Sequence, residues 1–287
     1  MADNPKRITR RHREWQAWTG TTADLERIAK VMSQLMDQRR ESLVAKYEAE
    51  HPKPTAPVDE EKAAEDVTAT VYFELMDYKS AMQQRDAELE RLNDVGVRFS
   101  LVDNHSDEVI GDPAAVLMEF DKRTYRALTF EGRFPPRHYG ESLSIKMNRS
   151  TPAPGVKFEV ESVDPGWAKQ AMAEISEEID HGAPWWGFFR SMLGTVIFNL
   201  IVYLMVVVTF SLLVDLADWK NKYWIAAAAA GVFVIAMQVV ESSFRLIFPP
   251  VEIVAEGEKP RGARVIPYLV ALALAAVVSV AVNTIGG

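Results

Sequence analysis

From Ser191 to Val214 the sequence SMLGTVIFNLIVYLMVVVTFSLLV holds no charged residue, and two further uncharged runs follow, Tyr223–Val240 and Val265–Ile285. A helix rises about 1.5 Å per residue, so roughly 20 apolar residues cross a hydrocarbon core, and a helix is the one spanning form that satisfies its own backbone donors and acceptors. The pattern predicts three transmembrane helices, at about 191–214, 223–246 and 265–285, making residues 191–287 a membrane domain. Lys and Arg near span ends collect on the cytoplasmic side. Arg190, Arg245, Lys259, Arg261 and Arg264 stand against Lys220 and Lys222, five to two. This asymmetry predicts an integral protein of a plasma or bacterial inner membrane, with its head and the 246–264 loop in the cytoplasm and its C-terminus outside. Trp185, Trp186, Trp219, Tyr223, Trp224 and Tyr268 sit where interfacial aromatic belts are expected.

The first 180 residues are charged and mixed in pattern. They predict an α+β domain, a mainly antiparallel sheet with helices, ahead of the α-helical membrane domain. The predicted organisation is a basic N-terminal arm at 1–14, the α+β domain at 15–180 and an interfacial linker at 181–190. Thr21 with Asp24 forms a capping-box start, and Leu25, Ile28, Met32, Leu35, Met36 and Leu43 recur at helical spacing behind it. Residues 51–66, HPKPTAPVDEEKAAED, are rich in Pro and acid and read as a flexible loop. Alternation over Val67–Leu75 predicts a strand, and Tyr78–Asn93 a polar helix. Strands follow at Val97–Val102, Tyr125–Glu131, Leu143–Met147 and Val156–Val163. Asp112 with Pro113 starts a helix carrying Val116, Leu117 and Phe120, and Pro165–Ile179 reads as an amphipathic helix.

The net charge is −8 despite the basic start, so no general affinity for nucleic acid follows. The chain has no cysteine, which excludes disulfides, thiolate metal sites and a cysteine nucleophile. MADNPKRITRRHREW lacks an apolar run after its cations and does not read as a secretory signal. No phosphate-binding loop, dinucleotide fingerprint, HExxH or GxSxG occurs, so the sequence leans against an enzyme and nominates no catalytic, cofactor-binding or metal-binding residue.

Four groups of residues remain as candidates. Lys6, Arg7, Arg10, Arg11 and Arg13 form the sharpest charge feature and suit contact with anionic lipid or another anion; a solubilising tail is the plainer reading. Arg133, Arg137 and His138 offer a weaker anion site, with a polar turn as the alternative. Asp103, His105 and Asp107 have the residue types of a metal or acid/base cluster, but VDNHSDE is turn-forming and reads better as a solvated turn. Within the predicted spans Asn199, Gln238, Glu241 and Arg245 read as polar packing groups, with Asn199 and Gln238 at similar depth. Ala227, Gly231, Ala271, Ala275 and Ser279 provide small-residue faces for a homo-oligomer.

These readings converge on a membrane-anchored binding or regulatory protein whose partners are the bilayer and a cytoplasmic ligand or protein. By analogy of architecture alone, its helices would oligomerise when the head is engaged, as in an effector of bacterial defence. The alternatives are a passive scaffold docking a soluble partner and a membrane-bound enzyme.

Overall fold

The computed structural model describes residues 8–55, 69–103, 105, 107–119, 125–134, 140–149, 154–190, 196, 200, 247–268, 270, 271 and 274. The chain forms an α+β domain around one antiparallel sheet. Its strands are β1 (Thr9–Trp15), β3 (Val97–Asp103), β4 (Glu108–Gly111), β5 (Tyr125–Arg133), β6 (Ser142–Asn148) and β7 (Val156–Ser162), in the order β1-β7-β6-β5-β3-β4. Alternation explains the layer: Leu143, Ile145 and Met147 of β6 and Val156, Phe158 and Val160 of β7 are buried, while Ser144, Lys146, Lys157 and Glu159 lie on the other face.

Helix α1 (Thr22–Glu50) covers the apolar face. Thr21 accepts from Asp24 N at 3.3 Å and Asp24 accepts from Thr21 N at 2.7 Å, the reciprocal capping box. Leu25, Ile28, Met32, Leu35, Met36 and Leu43 are all buried, each burial contributing about 1.5–3 kcal/mol. Helix α4 (Pro165–His181), capped by Asp164, packs beside α1 across β1 and β7, and α3 (Pro113–Glu119) packs on β3.

Two elements depart from the sequence reading. Over its described residues, 69–75, the segment read as a strand at Val67–Leu75 is helix: α2 (Ala69–Asn93) is helical from residue 69. Leu75, Tyr78, Met82, Arg85, Leu89 and Leu92 are its less exposed positions, spaced three and four apart, and helix propagation along that stripe outweighs the short β-like alternation. The basic N-terminal stretch supplies a strand, with β1 pairing residue by residue with β7 from Thr9↔Ser162 to Trp15↔Val156. Most of the 51–66 segment falls outside the described residues.

Among the described residues no helix is long and apolar enough to cross a membrane. This corrects the prediction of a three-helix membrane domain, and with it the integral-membrane placement, the cytoplasmic head and the outward C-terminus. Uncharged composition alone nominated 191–214, 223–246 and 265–285, and most of those residues lie outside the described ones. Of the 246–264 stretch read as a loop between spans, the described residues 247–264 fold onto the domain. β8 (Val251–Ile253) pairs in parallel with β2 (Trp18–Gly20). Trp18 N donates to Pro250 O at 2.9 Å, Val254 N to Gly20 O at 2.9 Å, and the buried Tyr125 hydroxyl to Val251 O at 3.2 Å. Burial, foremost, holds the Tyr125 phenol far above its ordinary pKa, which keeps it protonated as that donor.

The 3₁₀ helix Trp185–Arg190 joins the same seam. Trp186 is buried against Ala17 and Phe248, rather than lying in an interfacial belt, and Arg190 Nη1 donates to Phe248 O at 2.7 Å. Close approach fixes two glycines there. A Cβ on Gly182 would lie 2.2 Å from Trp18 Nε1, and one on Gly155 would lie 2.3 Å from Pro250 O. Glu252 then accepts from Arg261 N, at 3.3 and 3.1 Å, at the start of the helical stretch 261–268.

Candidate binding groove

The five N-terminal cations do not form one patch. Lys6 and Arg7 lie outside the described residues, and strand alternation sends the other three to two faces of the sheet. Arg10 pairs with Glu161 on the open face. Arg11 and Arg13 lie on the helix side, where they line a groove of about 590 Å³ with Lys169, Met172, Ala173, Ser176, Glu177, Asp180 and His181 of α4. The groove lies between the outer edge of β1, which pairs only with β7 among the described residues, and the outward side of α4.

The two ends of the groove differ in charge. Toward the end of β1, Asp180 Oδ1 accepts from Arg13 Nη2 at 3.0 Å and from Trp15 Nε1 at 2.7 Å, and the Arg13 guanidinium lies 4.8 Å from the Trp15 ring centre. Those charges are matched. His181 Nδ1 lies 2.7 Å from the Glu177 carbonyl oxygen, which places its proton on Nδ1. Arg11 and Lys169 have no ion-pair partner among the described residues, and against the one further carboxylate lining the groove, Glu177, they leave a net positive charge beside the apolar side of Met172 and Ala173.

A second depression, of about 390 Å³, lies on the open face among Glu131, Arg133, Ser142, Ser144, Lys146, Glu159 and Glu161. Its charges answer one another: Arg133 pairs with Glu131, Arg10 with Glu161, and Lys157 with Glu159 at 2.8 Å. Hydrogen bonding by Lys157, foremost, holds the Glu159 carboxyl below its ordinary range. Of the weaker anion candidates, Arg133 is thus engaged on this face, and Arg137 and His138 lie outside the described residues.

The turn reading of VDNHSDE holds in the geometry. Asp103 Oδ1 accepts from His105 N at 2.7 Å and Asp107 N at 2.9 Å, and no His, Asp and Glu cluster fit for a metal occurs among the described residues. Asn199, Gln238, Glu241, Arg245, Ala227, Gly231, Ala275 and Ser279 lie outside the described residues, while Ala271 is helical and exposed.

Sequence reasoning missed a buried ion cluster between α1, the start of β6 and the start of α4. Arg39 Nε and Nη2 each donate to Glu141 at 2.7 Å, and Nη1 donates to Asp164 at 3.0 Å. Glu141 also accepts from Ser162 Oγ at 2.8 Å and Val163 N at 3.3 Å. Burial, the largest influence on Asp164, pushes its carboxyl up, but the Trp167 and Gly166 N–H groups and Arg39 outweigh it and hold it below its ordinary value. A fork-to-fork pair with its lone pairs engaged leaves no free base, so the cluster ties α1 to the β6 and α4 starts rather than offering chemistry. The signal was present: Arg39 falls in the stripe Met32, Leu35, Met36, Leu43, where an apolar residue was due.

Comparison with protein-family models, with curated proteins and with solved structures finds no match for the chain, so its chemistry is argued from these residues alone.

Proposed function

We propose that the chain is a binding or regulatory protein rather than a catalyst, and that its α+β domain engages an anionic partner in the groove between β1 and α4. The observation that carries this reading is the pair Arg11 and Lys169, two cations without ion-pair partners among the described residues that line one groove from different elements. Such a pair gives long-range attraction and orientation, while Met172 and Ala173 supply apolar contact that simple charge lacks. The neighbouring Arg13–Asp180–Trp15 contacts hold β1 against α4, so the cations are presented from a rigid frame.

The test is fluorescence anisotropy of a labelled decaglutamate peptide with the full chain. Reversing the two charges in R11E/K169E is expected to weaken binding by about tenfold or more, with a smaller salt dependence. Equal affinity of wild type and variant would remove the groove from the function.

A further inference from the structure

The geometry points to β-strand addition as the mode of recognition: an extended acidic polypeptide pairs its backbone with the open edge of β1 and turns alternate side chains into the β1–α4 groove. This rests on the reading of the groove as the binding site and adds the partner's class and its pose.

The first support is the edge itself. β1 is a seven-residue strand, Thr9–Trp15, bonded on one side to β7 and unpaired on the other among the described residues. In an antiparallel ladder every second residue directs its N–H and C=O away from its neighbour, so this edge presents a regular row of donors and acceptors about 23 Å long. Long open edges invite unwanted pairing, and charged side chains are a common defence. Here the defence is one-sided in sign: Arg10, Arg11 and Arg13 stand with a single carboxylate, Glu14, in the strand. Such an edge repels basic strands and favours acidic ones.

The second support is where the groove lies. Residues of a strand facing the helices pack on whichever helix covers them, as Phe158 and Val160 of β7 do beneath the helices. α4 packs on β1, and its Lys169, Met172, Ala173 and Ser176 line one groove with Arg11 and Arg13 of that edge strand. That space is where the inward side chains of one more strand would sit. An apolar residue there meets Met172 and Ala173, and an acidic residue meets Arg11 and Lys169. The partner is therefore an extended segment mixing carboxylates with small apolar residues, and backbone pairing supplies affinity while the side chains select.

The experiment uses the full chain and a labelled decapeptide of alternating Glu and Val, read by anisotropy. A second peptide has the same sequence with alternate amides N-methylated, which removes one edge of hydrogen bonds and keeps the charge. The Glu-Val peptide is expected to bind, to lose about tenfold or more on N-methylation, and to lose a similar factor with R11E/K169E, while R133E on the open face changes affinity by less than about twofold. If N-methylation leaves affinity intact while R11E/K169E still weakens it, strand addition is wrong and the anion groove stands. If R11E/K169E has no effect, both fail. No binding of the Glu-Val peptide while decaglutamate binds through Arg11 and Lys169 would refute strand addition alone. Tighter binding of an oligothymidylate through the same two cations would replace a polypeptide partner by a single-stranded nucleic acid.

Discussion

Replacing Arg39 by Met removes one charge from the buried cluster and keeps most of the side-chain volume. Arg39 is 8% exposed and Glu141 1%, so the carboxylate left behind has no route to bulk water and retains only the Ser162 hydroxyl and the Val163 N–H. Stranding one partner of a buried pair costs about 3–5 kcal/mol, a large share of the roughly 5–15 kcal/mol that holds a domain together. At about 2–4 °C per kcal/mol for a domain of this size, the melting temperature falls by about 6–20 °C. In R39M/E141Q the stranded charge is gone and the amide oxygen still accepts from Ser162 and Val163, so the double variant recovers about 1–3 kcal/mol over R39M. Denaturant unfolding at constant m, run as a double-mutant cycle, reads these differences. A loss below about 1 kcal/mol in R39M, or an additive cycle, would show that the cluster is neither buried nor coupled as described.

Gly182→Val drives a branched side chain into the buried Trp18 ring, whose Nε1 would lie 2.2 Å from the new Cβ, and is expected to cost about 1–3 kcal/mol with a changed near-ultraviolet tryptophan signal. An unchanged signal and melting point would mean that β2 does not pack there. Thr21→Ala removes the α1 cap and should cost about 0.5–2 kcal/mol by urea unfolding, whereas Thr21→Ser should cost less. Burial, foremost, raises the Glu252 carboxyl above the ordinary glutamate range, so the folded state holds that proton more tightly than the unfolded chain. Its contribution is fully present below the unfolded pKa and lost as pH rises through the folded one, so Glu252→Gln should flatten that part of the stability profile above about pH 4.5. A variant profile parallel to wild type would refute the burial of Glu252 at the start of the 261–268 helix.

What the sequence disclosed was local. The capping box at Thr21 and Asp24, the α1 stripe and the alternation in β5, β6 and β7 are each decided by neighbours in the chain, and the structure places them as read. β1 was illegible because a charged edge strand shows no apolar alternation; its register comes from β7, nearly 150 residues away. The β2–β8 pairing spans more than 230 residues, and nothing in Val251–Ile253 marks Trp18–Gly20 as its partner. A comparable gap in sequence, from Arg11 to Lys169, separated the N-terminal cations from the helix, so a feature read as an arm became one wall of a groove only once α4 stood beside it. The membrane reading failed for a related reason: it took 246–264 for a loop between spans, whereas Phe248, Val251 and Ile253 in that stretch are buried within the domain.

Hydrogen exchange along β1 tests the binding account most directly. Amides at a free sheet edge exchange readily, and an added strand covers the outward-facing ones. With the Glu-Val peptide at saturation, fragments covering Thr9–Trp15 are expected to gain protection, those covering Lys169–Ser176 to gain a smaller amount, and the opposite edge at Glu108–Gly111 to stay unchanged. Peptide bound at saturation with no change over Thr9–Trp15, or with protection centred on Glu108–Gly111, would contradict the assignment of the site to the β1 edge.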